Sequence, residues 1–228
     1  MQRAITFWKP CVRQCKVILS IHILTTSLIY SAVVLDRIAV IVGRHVIKTS
    51  DIQRDLRVTA FLNRQSFALT SQAKRQSAER LIDQEIIRQE IITGQYRRPP
   101  ESEADALEKQ LIHDRFGGSE VRLRQDLTRY GLSQEQLRSQ LLWQLTVLQF
   151  IDQRFRPEVY VSDEDVRAYY DQHQAELRNQ YPENSSFEAL KEQIRQLLEG
   201  EQINQKFLAW LEEARKRSQI EYKQEAFA

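Results

Sequence analysis

Only six glycines, Gly43, Gly94, Gly117, Gly118, Gly131 and Gly200, punctuate a chain of 228 residues, and no other feature restricts its fold as much. Glycine supplies the positive φ that tight turns and phosphate-cradling loops require. So few of them exclude a many-turned β-protein and direct the chain towards helices. The apolar spacing agrees: Ala78, Leu81, Ile82, Ile86 and Ile92 trace a 3.6-residue period over about Ser71 to Thr93, with Gly94 as the stop.

Charge divides the chain. Residues 1–32 carry Arg3, Lys9, Arg13 and Lys16 and no acid, so residues 33–228 hold 29 basic and 31 acidic side chains, a balance of −2. A body without cationic excess disfavours nucleic acid as a partner. With 42% hydrophobic and 28% charged residues, the chain is neither a disordered tail nor a multi-span membrane protein. Val17 to Leu35 run 19 residues without a full charge behind those cations, with Ser31 and Ala32 near the end. Residues 1–32 thus read as a secretory signal peptide or as an N-terminal membrane anchor, and either way the body is exported. Cys11 and Cys15 both lie in this leader, so the body has no cysteine and its stability has to come from its core.

Along the body, Arg37–Val42 and Val46–Lys48 predict a small hairpin around Gly43. Ser50 with Gln53 predicts the cap of a first helix running to about Gln65. Further helices are expected over Glu101–Phe116 and Val121–Tyr130, bounded by Gly117-Gly118 and Gly131. Ser133 and Gln136 form a capping box, with Leu132 against Leu137 as a hydrophobic staple. The helix they start carries two apolar stripes, Leu137, Leu141, Leu145, Leu148 and Phe155 on one and Trp143, Val147 and Phe150 on the other, which suits the centre of a bundle or the floor of a groove. Ser162 starts another helix. Residues 179–186 form a linker, and Phe187, Leu190, Ile194, Leu197, Ile203, Phe207, Trp210 and Leu211 describe a long amphipathic helix, with an irregularity expected at Gly200 and a terminal strand at Ile220–Tyr222.

Catalytic and cofactor chemistry finds little here. His45, His113 and His173 stand far apart without metal-ligand spacing, and no cofactor is implied. Glu79 with Arg75, and Asp83 with Arg80, look like pairs on a solvated helix face.

The order LDRIAVIVGRHVIKTSDIQRDL, AERLIDQEIIRQE, SQEQLRSQLLWQLTVLQFIDQRF and VSDEDVRAYYDQHQAEL resembles the N-terminal chaperone module of SurA-type periplasmic proteins. Ser50-Asp51, Leu81-Ile82 with Ile86-Ile87, and Ser162-Asp163 with Tyr169-Tyr170 carry the likeness. The stretch from Phe187 to Tyr222 resembles the segment that closes that module in SurA and in the related PrsA foldases. The parvulin isomerase domain of those relatives has no counterpart, because only the short linker stands in its place. The resemblance implies a mainly α fold: residues 33–178 as a helical chaperone domain with a small β-hairpin, and residues 187–228 packing back on it as a long helix and a strand that joins the hairpin.

The function it implies is an ATP-independent holdase for unfolded envelope polypeptides, β-barrel precursors of the outer membrane among them. Its apolar groove is expected to be lined by Phe61, Phe67, Tyr96, Phe116 and Tyr130, which stand at helix ends or in turns, whereas Trp143 and Trp210 are assigned to the core. A prolyl isomerase with residual activity and a membrane-tethered adaptor are the alternatives. Membrane contact is expected only if residues 17–35 persist as an anchor.

Overall fold

The structure, a computed structural model, describes residues 36–227; the leader reading of residues 1–32 and its cysteines lie outside the described residues. The fold is mainly helical, with a small antiparallel sheet. The elements are β1 (Ile38–Val42), β2 (His45–Lys48), α1 (Thr49–Asn63), α2 (Ser71–Thr93), α3 (Glu101–Phe116), α4 (Glu120–Tyr130), α5 (Gln134–Phe155), α6 (Asp163–Gln172), α7 (Gln174–Gln180), α8 (Phe187–Arg217) and β3 (Ile220–Tyr222). The sheet order β2-β1-β3 places the chain's last strand beside its first. Val40 pairs with Ile47 on one side and with Tyr222 on the other.

Three long helices, α2, α5 and α8, frame four apolar clusters. Against the sheet lie Ala78, Ile82 and Ile86 of α2, Ala214 of α8, and Ala226 and Phe227 beyond β3. A second cluster joins α1, α3, α4 and the start of α5 through Phe61, Phe116, Leu123, Leu127 and Leu137. A third packs α6 and α7 on the start of α8. The fourth is central and aromatic: Phe150 and Phe155 of α5 meet Ile87 and Ile91 of α2 and Ile203 of α8, with Phe207 and Trp210 packed against them. Trp210 also touches the sheet cluster, which ties the two together.

Several expected faces are shifted. On α2, Ile92 is exposed while Ile87 and Ile91 are buried, because α2 packs against the sheet over its first half and against α5 and α8 over its second. Leu148 of α5 and Leu197 of α8 likewise face solvent. Helix α8 passes through Gly200 without a break, since a side chain there would meet only open space and the helix is held by packing on both sides of it. Gly94 is needed for a different reason. A Cβ there would collide with the ring of Tyr96, which folds back against the end of α2.

Ser50 is not the cap of α1. The cap is Lys48, two residues earlier, and its backbone N–H donates to the Asp51 carboxylate at 3.0 Å. The Ser50 hydroxyl instead donates to Asp36, which also accepts from the Ser50 backbone N–H at 3.1 Å and the Thr49 hydroxyl at 3.0 Å. Those hydrogen bonds, the Ser50 hydroxyl first, hold the Asp36 carboxyl below its ordinary pKa. A depressed carboxylate pKa contributes stability that is complete above the unfolded value of about 3.9 and is lost as the pH falls through the folded value. Asp36→Asn is therefore expected to lower the urea midpoint near pH 7 and to differ less from the wild type at about pH 3, below the unfolded value. Urea melts at both pH values check this, and a gap of equal size at both would contradict it.

Candidate functional site

A groove of about 540 Å³ has walls that come from four elements. β2 supplies Val46 and Ile47, α1 supplies Asp51 and Val58, α2 supplies Leu81 and Glu85, and α5 supplies Ser139, Gln140 and Trp143. A second concavity of about 440 Å³ shares Arg88, Ser139 and Trp143 with the first and continues along α2 and α5 to Pro99. The two make one trough, with Trp143 where they meet. Two features of the sequence build it. The wide second stripe of α5 brings Trp143 beside α2, and the hairpin, held by α1 and α2, closes one end.

Charged groups stiffen the trough instead of filling it. Glu85, although buried, accepts from Arg88 at 2.7 Å and from the Gln89 amide at 3.3 Å, and His45 of β2 approaches it within 3.1 Å. The Arg88 guanidinium then lies 4.9 Å from the centre of the Trp143 ring, so a chain of contacts runs from the hairpin through α2 to α5. His45 is thus half-exposed and engaged with an acid. The rim beyond these groups is polar and charged, with Gln84, Gln136 and Ser139 beside Arg54, Asp55 and Glu135.

The acids read as local helix-face pairs take tertiary partners. Glu79 and Asp83 both receive the Arg215 guanidinium from α8, and Arg80 reaches Asp55 of α1. Glu79 also accepts from the Tyr222 hydroxyl at 2.8 Å, and burial together with that bond pushes the phenol up to about 12. Burial raises the Asp83 pKa despite its bond to Arg215.

The five aromatic side chains expected along a groove do not share one. Phe61 is fully buried and Phe116 nearly so, and Phe61 stacks on Phe116 at 6.4 Å and meets Tyr130 edge-on at 5.6 Å. These three build the cluster between α1, α3 and α4, because the chain folds back at Gly117 and covers the helix ends. Tyr96 packs edge-on against Phe150 at 5.0 Å, and its hydroxyl accepts from Arg154 at 2.8 Å. Phe67 is half-buried beneath Arg57. Trp143, assigned to the core, is half-buried and lines the trough while packing on the central cluster, and Trp210 is enclosed by Phe150, Phe155 and Phe207. The second apolar stripe of α5 was the signal for Trp143.

Among the described residues, no group of three or more metal-binding side chains occurs, and no helix is long and apolar enough to cross a membrane. Compared with known proteins, the chain matches no family model and no curated protein.

Proposed function

We propose that this chain is an ATP-independent periplasmic holdase of the SurA type without an isomerase domain, which captures extended segments of unfolded envelope proteins, β-barrel precursors included. The supporting observation is the trough along α2 and α5, open to solvent, with a half-buried tryptophan at its middle and charged, amide and hydroxyl groups on its rim. An extended client presents alternating apolar and polar side chains. The first kind finds Trp143, Val46 and Leu142 in the trough, and the second finds glutamine and serine along the edge. Such contacts are individually weak, so release needs only competition from client folding or handover, with no nucleotide.

The test is dilution of a urea-unfolded outer-membrane β-barrel protein into buffer, with light scattering as the readout. The wild-type chain is expected to suppress aggregation, and Trp143→Ala to need about fivefold more protein for the same effect, as for removal of a central aromatic anchor. Tyr160→Ala, at an exposed position outside the trough, is the matched control and is expected to behave as wild type. Absence of suppression by the wild type, or equal activity of a folded Trp143→Ala, would contradict the proposal.

A further inference from the structure

A separate concavity, of about 430 Å³, lies where α3 turns into α4 and shares no lining residue with the trough. Arg64, Arg115, Arg122 and Arg129 line it together with Phe116 and Tyr130. Asp126 is the one carboxylate among the described residues that line it, and it lies 3.6 Å from Arg129. No carboxylate of the described residues stands within ion-pair distance of Arg64, Arg115 or Arg122. In a body whose overall balance is −2, four guanidinium groups against the single carboxylate of Asp126 around one hollow form a strong local excess.

The arrangement is held in place before any ligand arrives. Arg115 donates through Nη2 to the Phe61 carbonyl at 2.6 Å and through Nη1 to the Leu62 carbonyl at 3.5 Å, which satisfies the C-terminal end of α1. Its guanidinium lies 4.5 Å from the centre of the Phe61 ring and 5.5 Å from that of Phe116. Arg122 leans over the turn at Gly117, whose φ of +59° ends α3 and lets α4 fold back. Arg64 stands at the left-handed cap of α1. Burial first and the charge of Arg64 second lower the Arg115 pKa, against the opposing charge of Asp126, and a bound anion would relieve the repulsion between the two guanidinium groups. The ordering cost of the floor is already met within the fold.

We propose that this hollow binds a phosphate group, either free or carried on a lipid headgroup. A carboxylate carries one charge and two oxygens, enough for one guanidinium fork or two. A phosphate monoester carries close to two charges and three acceptor oxygens, which match three forks. The groups positioned to hold it are Arg64, Arg122 and Arg129 at the mouth and Arg115 at the floor.

The full chain is titrated with inorganic phosphate, glycerol 3-phosphate and glutarate, and with phosphatidylcholine vesicles containing or lacking phosphatidic acid, whose headgroup is a phosphate monoester. Arg122→Glu with Arg129→Glu, both exposed, is the test variant. Arg124→Glu with Arg178→Glu, also exposed and outside the hollow, is the control of equal charge. The test variant is expected to bind both phosphate probes about tenfold more weakly or not at all, with the control unchanged. Tighter binding to glycerol 3-phosphate, together with vesicle binding that depends on phosphatidic acid and falls in the test variant alone, assigns the phosphate to a lipid headgroup. Binding of inorganic phosphate alone assigns it to the free anion. Failure of both phosphate probes, equal binding by the test variant, equal loss in the control, or glutarate binding as tightly as phosphate would each overturn the proposal.

Discussion

Removal of residues 187–228 is expected to abolish the cooperative unfolding transition of what remains. The reason is topological. β1 is the central strand of the sheet, and its partner on one side is β3, from the far end of the chain. Helix α8 supplies Leu190 and Ile194 to one apolar cluster, Ile203 to a second and Ala214 to a third, and Phe227, 2% exposed, closes the sheet cluster from beyond β3. Deletion would open all three clusters to water and free one edge of β1, a loss well above the net stability of about 5–15 kcal/mol typical of a domain. Far-UV circular dichroism against urea checks it for a chain ending at Ser186. A sloping change without a defined midpoint is expected, and a cooperative transition with a slope near that of the whole chain would contradict the account.

The second large effect is expected at Phe150. Its ring, fully buried, meets Tyr96 at 5.0 Å, Trp210 at 5.5 Å and Phe155 at 5.9 Å, each edge-on, and shares a cluster with Ile87 and Ile91 of α2, so it joins α2, α5 and α8 at one point. Phe150→Ala removes the ring and leaves a cavity that three long helices can close only in part. The expected cost is about 3–5 kcal/mol, with Phe150→Leu recovering more than half of it. Urea denaturation gives the comparison. A loss under about 1 kcal/mol would show that the aromatic cluster is not the mechanical centre of the fold.

Where a helix boundary depends on neighbours in sequence, it was legible. Ser133 and Gln136 cap α5 reciprocally, Ser162 and Asp165 cap α6, and Gly94, Gly117 and Gly131 stand directly after α2, α3 and α4. Where the partner lies elsewhere in the chain, local grammar misled. Ser50 has the composition of a cap, but Asp36, 14 residues upstream, takes its hydroxyl. Glu79 and Asp83 have cations at helical spacing, but Arg215, more than 130 residues on, satisfies both. The aromatic residues near helix ends were expected at the surface because ends are commonly open. Phe61, Phe116 and Tyr130 are covered instead by the fold-back of α3 and α4, a tertiary event with no local signature. The trough was half legible: the two-sided apolar pattern of α5 required cover on both sides, but which side remained partly open depended on how the hairpin and α2 were placed.

The central claim is that unfolded polypeptide occupies the trough along α2 and α5. Residues 33–228 contain no cysteine, so with Cys11 and Cys15 changed to serine a single Ser139→Cys places a photo-activatable crosslinker where the two halves of the trough meet. The same reagent at Arg178→Cys, on the exposed surface of α7, is the reference. With an unfolded outer-membrane β-barrel protein as client, the account predicts strong crosslinking from position 139 and little from position 178. Equal labelling from both positions, or labelling from 178 alone, would contradict it.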